Sequence, residues 1–330
     1  MRILIYTGKG GVGKTSMAAA AACRIAQAGK KVIVMSTDPA HSLGDSFGMA
    51  LDDEPREIMP GLTAFEIDPV EESRRAWGSL QDYFKQLINE KTDGGLAADE
   101  VLLIPTLQEL FSMLRVLDIY RKNEYDVLIM DCAPTGETLS LLRFPRRMEK
   151  TVASWIPFLR KFTLGAGTMI TLRTGVPKPQ DKVFTDFQKL TDRLVELQGI
   201  IGDPEVTSMR IVATPERIPL DEAKRSYDCM CEYGFNADAL IINRIYPEEA
   251  LEGYFRPWIE LQKENIAWAG ENFPGLRLFY MHLKDDELRG TKSLLEAAEE
   301  VYGEEDITVI YHKNGIRGER DEDDVIHLEL

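Results

Sequence analysis

The segment that most constrains this chain lies within its first 36 residues. Arg2 to Tyr6 is a short apolar run, and the glycine-rich stretch Gly8-Lys9-Gly10-Gly11-Val12-Gly13-Lys14-Thr15 follows it. Thr15 to Ala28 is alanine-rich and stops at Gly29, and Lys31 to Ser36 (KVIVMS) is a second apolar run. Length and periodicity make this a strand, a loop, a helix and a strand. The unbroken apolar core of the second strand suits a strand covered on both faces. A βαβ unit therefore opens the fold, with a glycine loop at its first turn.

Further along, Leu62 to Ile67, Tyr125 to Asp131 (YDVLIMD), Met209 to Thr214, Ala239 to Asn243 and Leu276 to Tyr280 read as strands. Between them, Pro69 to Glu90, Asp99 to Lys122, Gly136 to Phe162, Asp181 to Gly199, Leu220 to Tyr233 and Glu248 to Asn272 read as helices. This alternation predicts an α/β fold: a mostly parallel, twisted sheet with helices on both faces and ligands outside the carboxyl ends of the strands. Residues about 69–122 and 143–200 are predicted to form a helical subdomain inserted in a domain spanning 1–303. A polar, charged run from Lys313 to Asp324 separates two β-like segments, ITVIYH and VIHLEL, so 304–330 is expected to be a β-like tail.

Composition narrows the partners. With 330 residues and 44% hydrophobic content the chain can bury a large core, and its net charge of -16 argues against an extended basic surface for nucleic acid. No uncharged apolar stretch approaches the roughly 18 to 20 residues that span a bilayer. Met1 to Thr7 reads as a strand and not as a signal peptide. Four cysteines, at 23, 132, 229 and 231, are too few for a disulfide framework and point to a reducing compartment. The expected location is cytoplasmic, with any membrane role peripheral.

The glycine loop satisfies two patterns. Gly8-x-Gly10-x-x-Gly13, with Asp38 after the second strand, matches a dinucleotide fingerprint, whereas Gly8-x4-Gly13-Lys14-Thr15 matches a phosphate loop. Lys14 and Thr15 favour the second, because hydride transfer needs neither. Backbone N–H groups of Gly8, Gly10, Gly11, Val12 and Gly13, with the helix start at Lys14, Thr15 and Ser16, would cradle phosphates. Lys14 would neutralise charge on the β- and γ-phosphates, and Thr15 would offer its hydroxyl to Mg²⁺. Lys9 is a second lysine in a loop whose own phosphate is already served, which invites a use elsewhere.

Two further loops suit the γ-phosphate. Ser36-Thr37-Asp38-Pro39-Ala40-His41-Ser42-Leu43-Gly44-Asp45 follows the second strand, with Asp38 placed for the metal's water shell and Asp45 for the attacking water. His41 reads equally as a switch residue or as a hydrogen-bonded loop histidine. Tyr125 to Met130 delivers Asp131 at a strand end, ahead of Pro134, Thr135 and Gly136, which is the order of a Walker B carboxylate running into a switch.

Together KGGVGKT (9–15), DPAHSLGD (38–45) and DCAPTGETLSLL (131–142) closely resemble the arsenite-pump ATPases (ArsA) and the related ATPases that target tail-anchored membrane proteins, over about residues 1–303. The resemblance implies an ATP- and Mg²⁺-dependent homodimer that closes over two nucleotides. It implies a deviant Walker A in which Lys9 reaches the partner's nucleotide, Asp45 as the water-activating carboxylate, and Thr15, Asp38 and Asp131 around the metal, partly through water. Val212 to Glu216, Leu220, Glu222 and the strand end Ile242-Asn243-Arg244 resemble the family's adenine-binding elements, which implies that Asn243 contacts the edge of the base and Pro215 its face. The structural zinc that eukaryotic targeting members hold through a Cys-x-x-Cys is not expected, because Glu252 to Trp258 (EGYFRPW) contains no cysteine.

The client is less legible. Arsenite prefers thiolates, and LLIPTLQELFSMLRVLDIY before Asp131 carries no cysteine. Residues 143–173 place Met148, Val152, Trp155, Ile156, Leu159 and Phe162 at helical spacing among several arginines and lysines. That pattern fits either core or a groove for a hydrophobic segment of a membrane protein client or pump partner. The alternative is a regulatory switch like MinD and ParA, which share the second lysine, although the acidic end GERDEDDVIHLEL does not supply the terminal amphipathic helix usual there. An iron–sulfur reductase is disfavoured, since Cys132 has no matching second ligand. Some bacterial relatives append a small heat-shock-like β domain, and ITVIYH to VIHLEL resembles its beginning.

Overall fold

Strand β1 (Arg2–Thr7) is an inner strand of the main sheet, with β5 (Val127–Asp131) on one side and β6 (Thr207–Ala213) on the other. The structure, a computed structural model, describes residues 1–37, 42–77, 105–132, 181–247, 256–313, 317–320 and 326–329. With β2 (Val32–Ser36), β3 (Arg56–Met59), β4 (Leu62–Glu66), β7 (Ala237–Ile245) and β8 (Arg277–His282), the sheet has eight strands in the order β3-β4-β2-β5-β1-β6-β7-β8. Every pairing is parallel except that of β3 with β4. The sheet sits in a compact unit made of residues 1–67, 119–139 and 200–330.

Both faces of the sheet are covered. Leu4, Tyr6, Val32, Val34, Ile129, Ala239 and Ile241 form one buried layer with α1 (Lys14–Gln27) and α9 (Thr291–Tyr302). Six alanines and glycine-free turns make α1 a narrow helix that lies close to the strands, and Met17 to Cys23 are wholly buried. Successive side chains of a strand alternate in direction. Ile3, Ile5, Ile33, Met35, Leu128, Met130, Ile211, Leu240 and Ile242 therefore point to the other face, equally buried. There α7 (Arg217–Glu232) packs on β6 and β7 through Leu220, Ala223, Tyr227 and Met230. α8 (Arg256–Asn272) lies beside α7, where the Asn265 amide donates to Pro215 O at 2.9 Å.

The second unit comprises residues 68–118 and 140–199. Its helix α3 (Pro69–Trp77) begins under an Asp68 cap, whose Oδ1 accepts the Val70 and Glu71 N–H groups at 2.8 and 3.2 Å. α4 (Pro105–Ser112) packs on α3. One continuous helix was expected over 99–122, but its described part is divided at Met113, and α5 (Leu114–Lys122) starts beyond. A three-residue bond from Val116 N–H to Met113 O tightens the chain at that point. Arg193 Nη2 donates to both carboxylate oxygens of Asp118, at 2.8 and 2.9 Å, and so joins α5 to α6 (Asp181–Gly202). The basic and apolar stretch 143–173 lies outside the described residues.

The end of the chain departs from expectation in the first of its two β-like segments. ITVIYH (307–312) pairs with no strand and runs as a strap, its backbone groups met by side chains. Arg2 Nε donates to Thr308 O at 3.1 Å, Arg210 Nη2 to Ile307 O at 2.7 Å and Asn236 Nδ2 to His312 O at 3.0 Å. The Tyr311 N–H donates to Asp238 Oδ2 at 3.3 Å. Beneath the strap Arg210 and Asp238 form an ion pair of 3.3 Å, both wholly buried. Burial opposes the Arg210 charge, but the Tyr6 and Tyr302 hydroxyls and Asp238 hold the guanidinium protonated, above its ordinary range. Farther on, β9 (Arg317–Arg320) and β10 (Ile326–Glu329) form an antiparallel hairpin.

Candidate functional site

Register brings the chemistry together. Tyr6 lies beside Asp131 across β1 and β5, and Ser36 lies beside the same Asp131 across β2 and β5. Ala213 pairs with Ile242 across β6 and β7. The carboxyl ends of five parallel strands thus open at one edge, where Gly8, Thr37, Asp131, Thr214 and Asn243 emerge. A site at that edge follows from strand polarity, because every loop after a parallel strand exits on the same side.

Close approach shapes the glycine loop. A β-carbon on Gly8 would lie 2.1 Å from Val212 O, and one on Gly13 would lie 2.3 Å from Asn243 Nδ2. Gly13, at φ 91°, also opens α1, so its left-handed turn aims the first helical N–H groups outward. Lys14 is 5% exposed and donates through Nζ to Lys9 O at 3.3 Å, which lays its ammonium across the loop. Lys9 projects instead and pairs with Glu222 of α7 at 3.0 Å, its side chain 43% exposed. Ser16, half-buried, follows on the first turn of α1.

A hydroxyl cluster faces the loop. Thr15 Oγ1 donates to Asp131 Oδ2 at 2.7 Å, and Ser36 Oγ reaches the same oxygen at 3.2 Å. Ser42 Oγ lies 3.0 Å from Thr15 Oγ1. Ser42 begins the short helix α2 (Ser42–Phe47), whose six residues carry too little periodicity to be legible in the sequence. Glu66, at the end of β4, accepts the Leu43 and Gly44 N–H groups at 2.9 and 3.0 Å, and the Gly290 N–H donates to Ser46 O at 2.8 Å. Asp45 is exposed on α2 and borders an open depression with Gly48, Met49, Leu51 and Arg289.

Of the residues singled out in the sequence, Lys14, Thr15 and Asp131 converge. Val12, Gly13 and Asn243 also meet, the Asn243 amide donating to Val12 O at 2.8 Å. Pro215 is buried just past β6, held by Asn265. Asp38, His41, Pro134, Thr135 and Gly136 lie outside the described residues. Ser36, Ser42 and Glu66 were not singled out. The first two were legible as hydroxyls flanking the acidic loop, whereas Glu66 ends a strand and showed no motif.

A phosphate cradle beside a hydroxyl bonded to a strand-end carboxylate is the working part of the P-loop nucleoside triphosphatases, and that is the class of this protein. Its sequence matches the anion-transporting ATPase (ArsA) family over residues 1–303, and the chain belongs to that family. It is an ATPase and binds nucleotide as such. A protein of Aquifex aeolicus provisionally named arsenical pump-driving ATPase 1 is 34% identical over 323 residues, covering 95% of this chain and 82% of the relative. A counterpart of Chlorobaculum tepidum, provisionally named arsenical pump-driving ATPase, is 34% identical over 312 residues, 93% of this chain and 76% of its own. The protein named ATPase get3 from Aspergillus niger is 29% identical over 307 residues, 89% and 88% of the two chains. Among the described residues no helix is long and apolar enough to cross a membrane.

Proposed function

We propose that this ATPase hydrolyses MgATP in a homodimer that closes over two nucleotides, and that closure is coupled to a hydrophobic client or a membrane partner. The observation that carries the reading is the 2.7 Å bond between Thr15 and Asp131 at the mouth of the glycine loop. The oxygens gathered there, on Thr15, Ser36, Ser42 and Asp131, are the hard donors that Mg²⁺ takes, in part through water. Bound there, the ion would offset charge on the β- and γ-phosphates. Asp38, one residue past Thr37, would complete the water shell.

The two lysines divide the remaining work. Lys14, buried across the loop, serves the phosphates of its own chain. Lys9, exposed and held only by a surface ion pair, is free to be exchanged onto a partner's nucleotide, since such pairs contribute no more than about 1 kcal/mol. Its Nζ would donate to a γ-phosphate oxygen across the interface, as an arginine finger does. Asp45 would accept the proton of the attacking water. No zinc is assigned to this interface, and no nucleic acid is assigned as a partner. Localisation is cytoplasmic, with peripheral attachment through the client.

The test is a set of three variants. Lys14→Ala is expected to weaken MgATP binding, whereas Lys9→Ala and Asp45→Asn keep binding and lose about 10³-fold or more in turnover. Sedimentation with and without an ATP analogue reports dimer closure. Unchanged turnover in Lys9→Ala would rule out the trans lysine. Stimulation by arsenite or by a hydrophobic peptide, assayed in parallel, separates the two client classes.

A further inference from the structure

β7 does not end as a regular strand. Its pairing with β8 slips between Ile242 and Ile245, and Arg244 within the slip sits at φ 61°. A residue with a β-carbon adopts that left-handed value only where its surroundings impose it. The slip turns Asn243 inward, 5% exposed, onto the glycine loop. Its Nδ2 donates to Val12 O at 2.8 Å and its Oδ1 accepts the Arg244 N–H at 2.9 Å. One partner is a carbonyl and the other an N–H, so the orientation of the amide is fixed by its bonds.

Peptide planarity carries the consequence. In a trans peptide the carbonyl and the following N–H point in opposite directions. Tying Val12 O to Asn243 therefore sets the direction of the Gly13 N–H, away from Asn243, on the side where the cradle reading places the phosphates. Gly13 has no side chain where Nδ2 stands, and a β-carbon there would lie 2.3 Å from that nitrogen. We infer that Asn243 is a positioning residue for the phosphate cradle, acting through the Val12 carbonyl, so that it supports triphosphate binding independently of the base. The inference rests on the reading of Gly8 to Thr15 as that cradle. It leaves the second Nδ2 hydrogen for a base.

Competition against a fluorescent ATP analogue measures the affinities of MgATP and of magnesium tripolyphosphate, which has no base. Asn243→Ala is expected to weaken both by about tenfold, with their ratio within twofold of the original protein and an unchanged melting temperature. If the alanine cavity lowers the melting temperature, Asn243→Leu, of similar volume, repeats the measurement. A second readout is a cycle with Gly13→Ala, whose effect on tripolyphosphate should be several-fold smaller once Asn243 is alanine. Loss confined to MgATP, loss of neither ligand, or additive effects in the cycle would overturn the inference. Failure of the original protein to bind either ligand would overturn the cradle itself.

Discussion

Thr15 holds its hydroxyl between Asp131 and Ser42, at 2.7 and 3.0 Å. One neighbour ends β5 and the other begins α2, so one oxygen joins three parts of the site. Removing it should leave the fold intact and remove an oxygen from the place where charge is handled. Thr15→Ala is expected to lower turnover by about 10² to 10³, a scale typical of one lost electrostatic partner, and steady-state assays over a magnesium series check it. Cys23 makes the contrast of a residue that is packed and nothing more. Burial pushes its thiol up to about 12. It should resist alkylation at pH 8 until the protein unfolds, which mass spectrometry after a timed iodoacetamide pulse will show.

Among the elements, α2 stands out because its position depends on side chains outside it. Glu66 satisfies two of its first N–H groups, which no helix can satisfy for itself. Glu66→Leu leaves both without that acceptor and is expected to cost about 1 to 3 kcal/mol, whereas Glu66→Gln keeps an acceptor oxygen and most of the stability. Thermal melts and turnover should fall together in the first variant. This element also marks where the sequence was legible and where it was not. The strands from β1 to β8 are readable, apart from β3: most because burial on both faces writes an apolar run, and the edge strand β8, whose buried Phe279 and Met281 alternate with exposed residues, because of its short aromatic and aliphatic run. β3 escaped notice since it is an exposed edge strand with a bulge between Glu57 and Met59. α9 also carries a legible signal, with Leu294, Ala297, Ala298 and Val301 at helical spacing, although it is absent from the helices expected above. In the site, Lys14, Thr15 and Asp131 were readable because their chemistry comes as a motif. The tie between Asn243 and Val12 was not, because it depends on a slipped register that no local pattern encodes.

For the whole molecule, the strap over Arg210 couples the last third of the chain to the first strand. Tyr6 OH lies 3.0 Å from Tyr302 OH, and Arg210 Nη1 reaches Tyr6 OH at 3.4 Å. Removing one partner of a buried ion pair strands the other, so Arg210→Met and Asp238→Leu are each expected to cost about 3 to 5 kcal/mol, and the double variant less than their sum. Denaturant titrations of the four proteins check this. Asp306 fastens the turn ahead of the strap, accepting the Thr308 N–H at 2.9 Å and its hydroxyl at 2.7 Å, and these bonds hold its carboxyl below the ordinary value of 3.8. The unfolded chain therefore takes up this proton first as the solution is acidified. The stability that Asp306 contributes is complete above about pH 5 and drains away as pH falls through its lowered value. The gap in melting temperature between the original protein and Asp306→Asn should be widest near neutrality and close toward pH 2.

The same strap bears on how the protein is made. A ribosome delivers the glycine loop first, yet β6 on its flank, α9 over α1 and the carbonyls that receive Arg210 come from residues 207–213, 291–302 and 307–309. Until the last of these has left the exit tunnel, a guanidinium destined for the interior has no acceptor at its far end. The nucleotide pocket, whose glycine loop precedes all of these segments in the chain, thus gains its flank and its cover only after residue 309 has been synthesised.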